Sequence, residues 1–184
     1  MVALGIVFTL PHVKPQAQYK LSILNIKHVL TANLLRLDFS VFSLHLILTC
    51  SFIAMPVFLV ENNIVALDLK DNWKMYLPVM ALSFVGMLPM IILAEKYHKT
   101  KSMLLVAVLI LLMSQFLFYQ TPLNYTTFFI LLTLFFIAFN ALEAMLPSLI
   151  SKTAGTDKRG LAMGMYSTSQ FLGAFIGGVF GGWI

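Results

Sequence analysis

At 184 residues the chain has the length of one ordinary domain, yet 60% of it is hydrophobic and only 10% is charged, against about 25% charged in a typical soluble domain. A mean hydropathy of +0.91 and the absence of any Asp, Glu, Lys, Arg or His from 102–142 and 160–184 exclude a water-soluble fold. The single cysteine, Cys50, excludes an internally disulfide-stapled scaffold, and the net charge of +5 does not imply nucleic acid, because the cations sit in short gaps between apolar blocks.

Met1–Leu10 is apolar but as a helix covers only about 15 Å, half a bilayer core. No basic residue precedes it and no small-residue cleavage site follows, so it reads as the end of a membrane helix rather than a signal peptide. Residues 11–36 form a basic cytoplasmic segment. Within it Ile23, Ile26, Val29, Leu30 and Leu34 share one helical face, which suits an interfacial helix or a docked inter-domain connector.

Spanning the bilayer takes about 20 mostly apolar residues in a helix, because lipid offers bare backbone no partners. The first such stretch is Leu37–Val60. Arg36 and Asp38 at its edge suggest an interfacial anchor or ion pair. His45, about one-third along, is a candidate proton carrier because an unperturbed imidazole titrates near neutrality; a neutral packing histidine is the alternative. Cys50 reads as a small packing residue. The second stretch, Met75–Ala94, carries Gly86 and Pro89; this proline and Pro56 in the first span mark kinks or breaks. The third, Ser102–Tyr119, contains Ser114 and Gln115, which could line a pathway or bond between helices.

Gln120–Asn124 has turn chemistry and makes a tight loop. The fourth stretch, Tyr125–Ile150, contains the sharpest polar signal, Glu143. A mid-membrane carboxylate costs roughly 2.5–3.5 kcal/mol, while Leu, Ile and Phe each contribute about 0.3–0.6 kcal/mol toward insertion. The eleven such residues from Tyr125 to Leu142 carry the helix in. The carboxyl still requires a partner, a water-filled cavity or a proton, and so reads either as a substrate or proton site or as an interhelical clamp. Asn140 lies three residues earlier and can share its face, and Pro147 cannot donate to the carbonyl of Glu143.

The fifth stretch, Leu161–Ile184, contains Gln170, a further pathway or hydrogen-bonding candidate. Gly173, Gly177 and Gly181 recur every four residues, with Gly178 and Gly182 as a second row, a pattern that lets helix backbones approach closely. The cations orient the chain. Lys14, Lys20, Lys27 and Arg36, then Lys96, Lys99 and Lys101, then Lys152, Lys158 and Arg159 fall on alternate gaps, placing 11–36, 95–101 and 151–160 in the cytoplasm.

No zinc-protease, serine-hydrolase, P-loop or dinucleotide motif occurs, and the four histidines are scattered. No enzyme, metal or cofactor is expected. Asn124-Tyr125-Thr126 has the glycosylation pattern, a frequent chance triplet.

The basic turn Ala94-Glu95-Lys96-Tyr97-His98-Lys99-Thr100-Lys101 resembles the Asp-Arg-x-Gly-Arg-Arg loop in the second half of major facilitator superfamily transporters, with Glu95 for Asp, Lys96 for Arg and His98 for Gly. Leu146–Lys152, Ala162–Gly173 and the glycine ladder are similar to YajR-type bacterial inner-membrane members of that family. The resemblance implies an all-α polytopic membrane protein: Met1–Leu10 as the end of helix six, 11–36 as the central cytoplasmic loop, and 37–184 as five transmembrane helices, seven to eleven, of an incomplete C-terminal half. It implies a fragment of an inner-membrane secondary transporter or antiporter whose partners are the bilayer, the missing N-terminal half, a small-molecule substrate and protons. Glu143 is then the coupling candidate, with His45 second. The competing expectation is a non-transporting assembly protein that docks a partner through its glycine-rich last helix.

Overall fold

The computed structural model describes residues 31–61, 73–120, 122 and 124–183. The expectations for Met1–Leu10 and for the amphipathic stretch up to residue 30 lie outside the described residues. Five helices make up the rest: α1 Ala32–Glu61, α2 Trp73–Glu95, α3 Thr100–Gln120, α4 Tyr125–Ala154 and α5 Arg159–Trp183. No strand occurs among the described residues. The first four helices are long and apolar enough to cross a membrane. α5 is 25 residues long, but its seven glycines make it less apolar.

The helix ends follow from local chemistry. α1 starts five residues before the expected span, because Thr31 Oγ1 accepts the Leu34 N–H at 3.4 Å and satisfies a donor that the first turn would leave bare. α4 starts where expected, capped by Asn124, whose Oδ1 accepts the Thr127 N–H at 2.8 Å. That cap accounts for the Asn124 of the glycosylation-like triplet. α4 stops at Gly155, whose φ of 72° lies in the left-handed region that glycine enters without a Cβ penalty. α1 and α2 continue through Pro56, Pro78 and Pro89 rather than breaking there.

α4 is the centre of the bundle. Twelve of its residues are buried, among them Phe128, Phe135, Phe136, Met145 and Ile150. It packs on α2 and α3 along one side and meets α1 and α5 on the other. The outward faces of α2 and α3 expose Leu77, Phe84, Val85, Leu105 and Leu109, as expected of surfaces whose solvent is hydrocarbon. α1 and α5 form the most intimate pair. Phe42, Leu46 and Cys50 of α1 meet Gly173, Gly177 and Gly181 of α5 in that order, so the two helices run parallel.

A buried polar junction between three helices

The glycine row sets the distance between α1 and α5. A Cβ at Gly173 would stand 2.2 Å from the Phe42 carbonyl oxygen, and one at Gly177 would stand 2.4 Å from that of Leu46. Only hydrogen fits. At Gly181 the same approach is made to Cys50 at 2.9 Å. The second row is different: a Cβ at Gly178 would make an ordinary 3.8 Å contact with Thr49, and one at Gly182 would meet nothing within 4 Å. The expectation that all five glycines pack helices is corrected to three, because residues one position apart point about 100° apart around a helix.

This close approach brings His45 and Gln170 together. The His45 Nδ1 lies 3.1 Å from the Val41 carbonyl oxygen. A carbonyl only accepts, so Nδ1 carries the ring proton and Nε2 presents its lone pair. The Gln170 amide Nε2 donates to that Nε2 at 2.8 Å and also to Glu143 Oε1 at 3.2 Å. The second carboxylate oxygen, Glu143 Oε2, stands 3.6 Å from His45 Nε2. It is buried and has no hydrogen-bond partner among the described residues. The ring of Phe139, one turn before Glu143, meets His45 edge-on at 5.8 Å between centroids.

Three of the pathway candidates, His45, Glu143 and Gln170, therefore converge, one each from α1, α4 and α5. A proton reaching this junction has two available sites. On His45 Nε2 it would displace the Gln170 N–H, whereas on Glu143 Oε2 it would disturb no hydrogen bond.

The other three lie elsewhere, Ser114 donating to the Leu111 carbonyl of its own helix at 2.8 Å. Asn140 turns toward α2 and donates to Ser83 Oγ at 3.1 Å, and Ser83 in turn donates to the Met80 carbonyl at 2.9 Å. Gln115 of α3 donates to Ser51 Oγ of α1 at 3.3 Å. Both are interhelical hydrogen bonds. Arg36 and Asp38 are two residues apart and so cannot face each other: Arg36 is exposed, while Asp38 is buried at 6% exposure with its Oδ1 unpartnered among the described residues.

At the other end of α2, Glu95 accepts from Lys152 Nζ through both oxygens at 2.9 Å and from Ser148 Oγ at 3.1 Å. This joins the α2–α3 turn to the end of α4. Lys96 lies over the Tyr97 ring at 6.0 Å, and Lys99 and Lys101 are exposed. His98 has φ 54°. This is the left-handed conformation, and His98 stands where the resembling loop motif has glycine.

Sequence reasoning missed Tyr166. It is 4% exposed, and its hydroxyl is unpartnered among the described residues. Its place one helical turn before Gln170 was the available signal.

Comparisons with known proteins agree with this architecture. The sequence profile of the Major Facilitator Superfamily matches residues 1–184. The chain is 40% identical over 151 residues to the inner membrane transport protein YajR of Escherichia coli (strain K12), covering 82% of this chain and 33% of that protein. It is 34% identical over 149 residues to an uncharacterized transporter of Buchnera aphidicola subsp. Acyrthosiphon pisum, covering 81% of this chain and 37% of that protein. A transporter of Buchnera aphidicola subsp. Baizongia pistaciae is 30% identical over 158 residues. The chain spans about a third of the length of these curated relatives.

Proposed function

The chain belongs to the Major Facilitator Superfamily, and on that premise we propose that it works as the C-terminal half of a secondary active transporter in the bacterial inner membrane. In this reading it exchanges a small molecule for protons in the direction of efflux, and Glu143, His45 and Gln170 couple the two movements. It moves solutes rather than transforming them. The observation that carries the reading is the meeting of Glu143, His45 and Gln170 from three helices, with one carboxylate oxygen left open.

The chemistry follows from that oxygen. Ionised, Glu143 holds α4 to the α1–α5 pair through the Gln170 amide, a charge-assisted hydrogen bond. A proton on Oε2 neutralises the carboxylate, weakens that tie and removes the charge that would attract a cationic or polar solute. The two states differ in how firmly α4 is bound to its neighbours, which supplies a differential interaction for alternating access. A site of this type lies between two halves, so the first half of the fold is the partner required for transport.

The competing reading, an assembly protein that docks a partner through its glycine-rich helix, has less support. Gly173, Gly177 and Gly181 are already covered by α1 of the same chain.

Proteoliposomes containing this chain joined to an N-terminal half, loaded with a pH-sensitive dye and held under a pH gradient, test the proposal. Small solutes are screened for those that discharge the gradient. Glu143→Gln should bind such a solute but no longer discharge the gradient. Unchanged discharge in that variant removes Glu143 from coupling, and discharge by the chain without the added half refutes the need for a partner.

A further inference from the structure

The α2–α3 turn carries three cations whose charge nothing beside them offsets. It runs Glu95-Lys96-Tyr97-His98-Lys99-Thr100-Lys101, and its one acidic residue is already engaged, both Glu95 oxygens accepting from Lys152 Nζ at 2.9 Å. Lys96, Lys99 and Lys101 are exposed, and none of them pairs with a carboxylate among the described residues. Main-chain bonds close the turn on itself. The Lys99 N–H donates to the Leu93 carbonyl at 3.4 Å, the Thr100 hydroxyl to the Ala94 carbonyl at 3.1 Å, and the Met103 N–H to the Lys99 carbonyl at 2.9 Å. The three ammonium groups are thus carried by one short, fixed segment.

The surface beneath these cations identifies their partner. Lys101 heads a row of α3 in which Leu105, Leu109 and Leu112 follow at helical spacing, and all four are exposed. From Lys101 to Leu112 the row rises about 16 Å, close to one leaflet of a hydrocarbon core roughly 30 Å thick. On α2, Ile92 and Leu93 are exposed just before the turn, and Tyr97 on the turn is an exposed aromatic of the type that sits at headgroup level. A cationic head above one leaflet of exposed aliphatic side chains is the complement of a lipid that is anionic at the top and apolar below. A soluble anion matches only the head. We infer that the α2–α3 turn is a binding site for an anionic phospholipid, with the headgroup phosphate held by Lys96, Lys99 and Lys101 and an acyl chain lying along Leu105, Leu109 and Leu112. The Glu95–Lys152 pair keeps the site positive, because a free Glu95 carboxylate beside Lys96 would compete with the lipid phosphate. The site is separate from the junction at Glu143 and does not depend on its role in coupling.

Native mass spectrometry of the full chain in detergent, titrated with short-chain phosphatidylglycerol and separately with phosphatidylcholine of the same chains, tests this. Phosphatidylglycerol should bind more tightly, and raising the salt should erase the difference. Lys96→Gln, Lys99→Gln and Lys101→Gln should each weaken phosphatidylglycerol binding about two- to fivefold, the scale of one basic residue near an anionic lipid surface. Lys101→Arg should retain it. These side chains are exposed and unpaired, so the unfolding temperature should not move in any of the variants. Lys158→Gln combined with Arg159→Gln removes two charges from the α4–α5 turn and should leave binding within about twofold of the parent. Equal binding of the two lipids overturns the site. So does an equal loss in the α4–α5 variant, which would mark a diffuse attraction to positive charge. Displacement of the lipid by glycerol phosphate at equal concentration also overturns it, by showing that the head alone is recognised.

Discussion

Replacing Gly177 with alanine puts a methyl group where α1 and α5 touch backbone to backbone. Its Cβ would stand 2.4 Å from the Leu46 oxygen, 2.9 Å from its Cα and 3.0 Å from its carbonyl carbon. Ordinary contact lies near 3.5 Å, so the helices must separate by about 1 Å. No flexible side chain can yield, because every atom met is main chain. Overpacking of this type costs about 1–3 kcal/mol, against roughly 1 kcal/mol that alanine gains over glycine in helix propensity, a net loss of up to about 2 kcal/mol. For a chain of this size such a loss lowers the unfolding midpoint by up to roughly 8 °C. The same separation would stretch the 2.8 Å bond from Gln170 to His45 beyond hydrogen-bond range. At Gly182 an added Cβ meets nothing within 4 Å, so Gly182→Ala should raise the midpoint through propensity alone. Thermal unfolding of the purified full chain in detergent, followed by tryptophan or dye fluorescence, reads both variants. Gly177→Ala as stable as Gly182→Ala would refute the close backbone contact and with it the register of the α1–α5 pair.

Further outcomes follow from individual contacts. His98→Gly should stabilise the α2–α3 turn by about 0.5–1 kcal/mol, because glycine accepts the observed φ of 54° without the left-handed penalty of an L side chain; a lower unfolding midpoint in that variant would count against this backbone. Gln170→Leu should leave the His45 Nε2 lone pair without its amide donor, which nitrogen NMR of labelled histidine would register as a changed Nε2 signal. An unchanged spectrum would mean that Gln170 does not bond the ring. Asn140→Ala should cost about 0.6 kcal/mol, the usual size of an interhelical hydrogen bond in membranes, without altering the infrared carbonyl band of Glu143. A shifted band would place Asn140 in the junction after all.

Much of the architecture was legible in one dimension. Length and apolarity decide whether a segment can cross hydrocarbon, and both are local, so α2, α3 and α4 fall close to where the composition placed them. Local chemistry also explains Asn124 as a cap, in keeping with the glycosylation-like triplet there being a chance match. The start of α1 was displaced by five residues because the threonine cap is a local polar contact, to the N–H three residues on, that apolarity does not register. Glu143, His45 and Gln170 could each be singled out by the insertion cost of a polar group. Their meeting could not be foreseen, since Glu143 lies 27 residues from Gln170, and Gln170 lies 125 residues from His45.

The sequence alone determined that this is a multi-helix membrane protein of the major facilitator type, with few polar groups inside it and two glycine rows on its last helix. Only the tertiary structure decided which row touches α1 and drew Asn140 and Gln115 into serine contacts away from the junction. The physical reason is that helical periodicity assigns residues to faces, but the pairing of faces depends on the register and closeness of separate helices. In this chain those are set by three hydrogens, on Gly173, Gly177 and Gly181, where a methyl group would not fit.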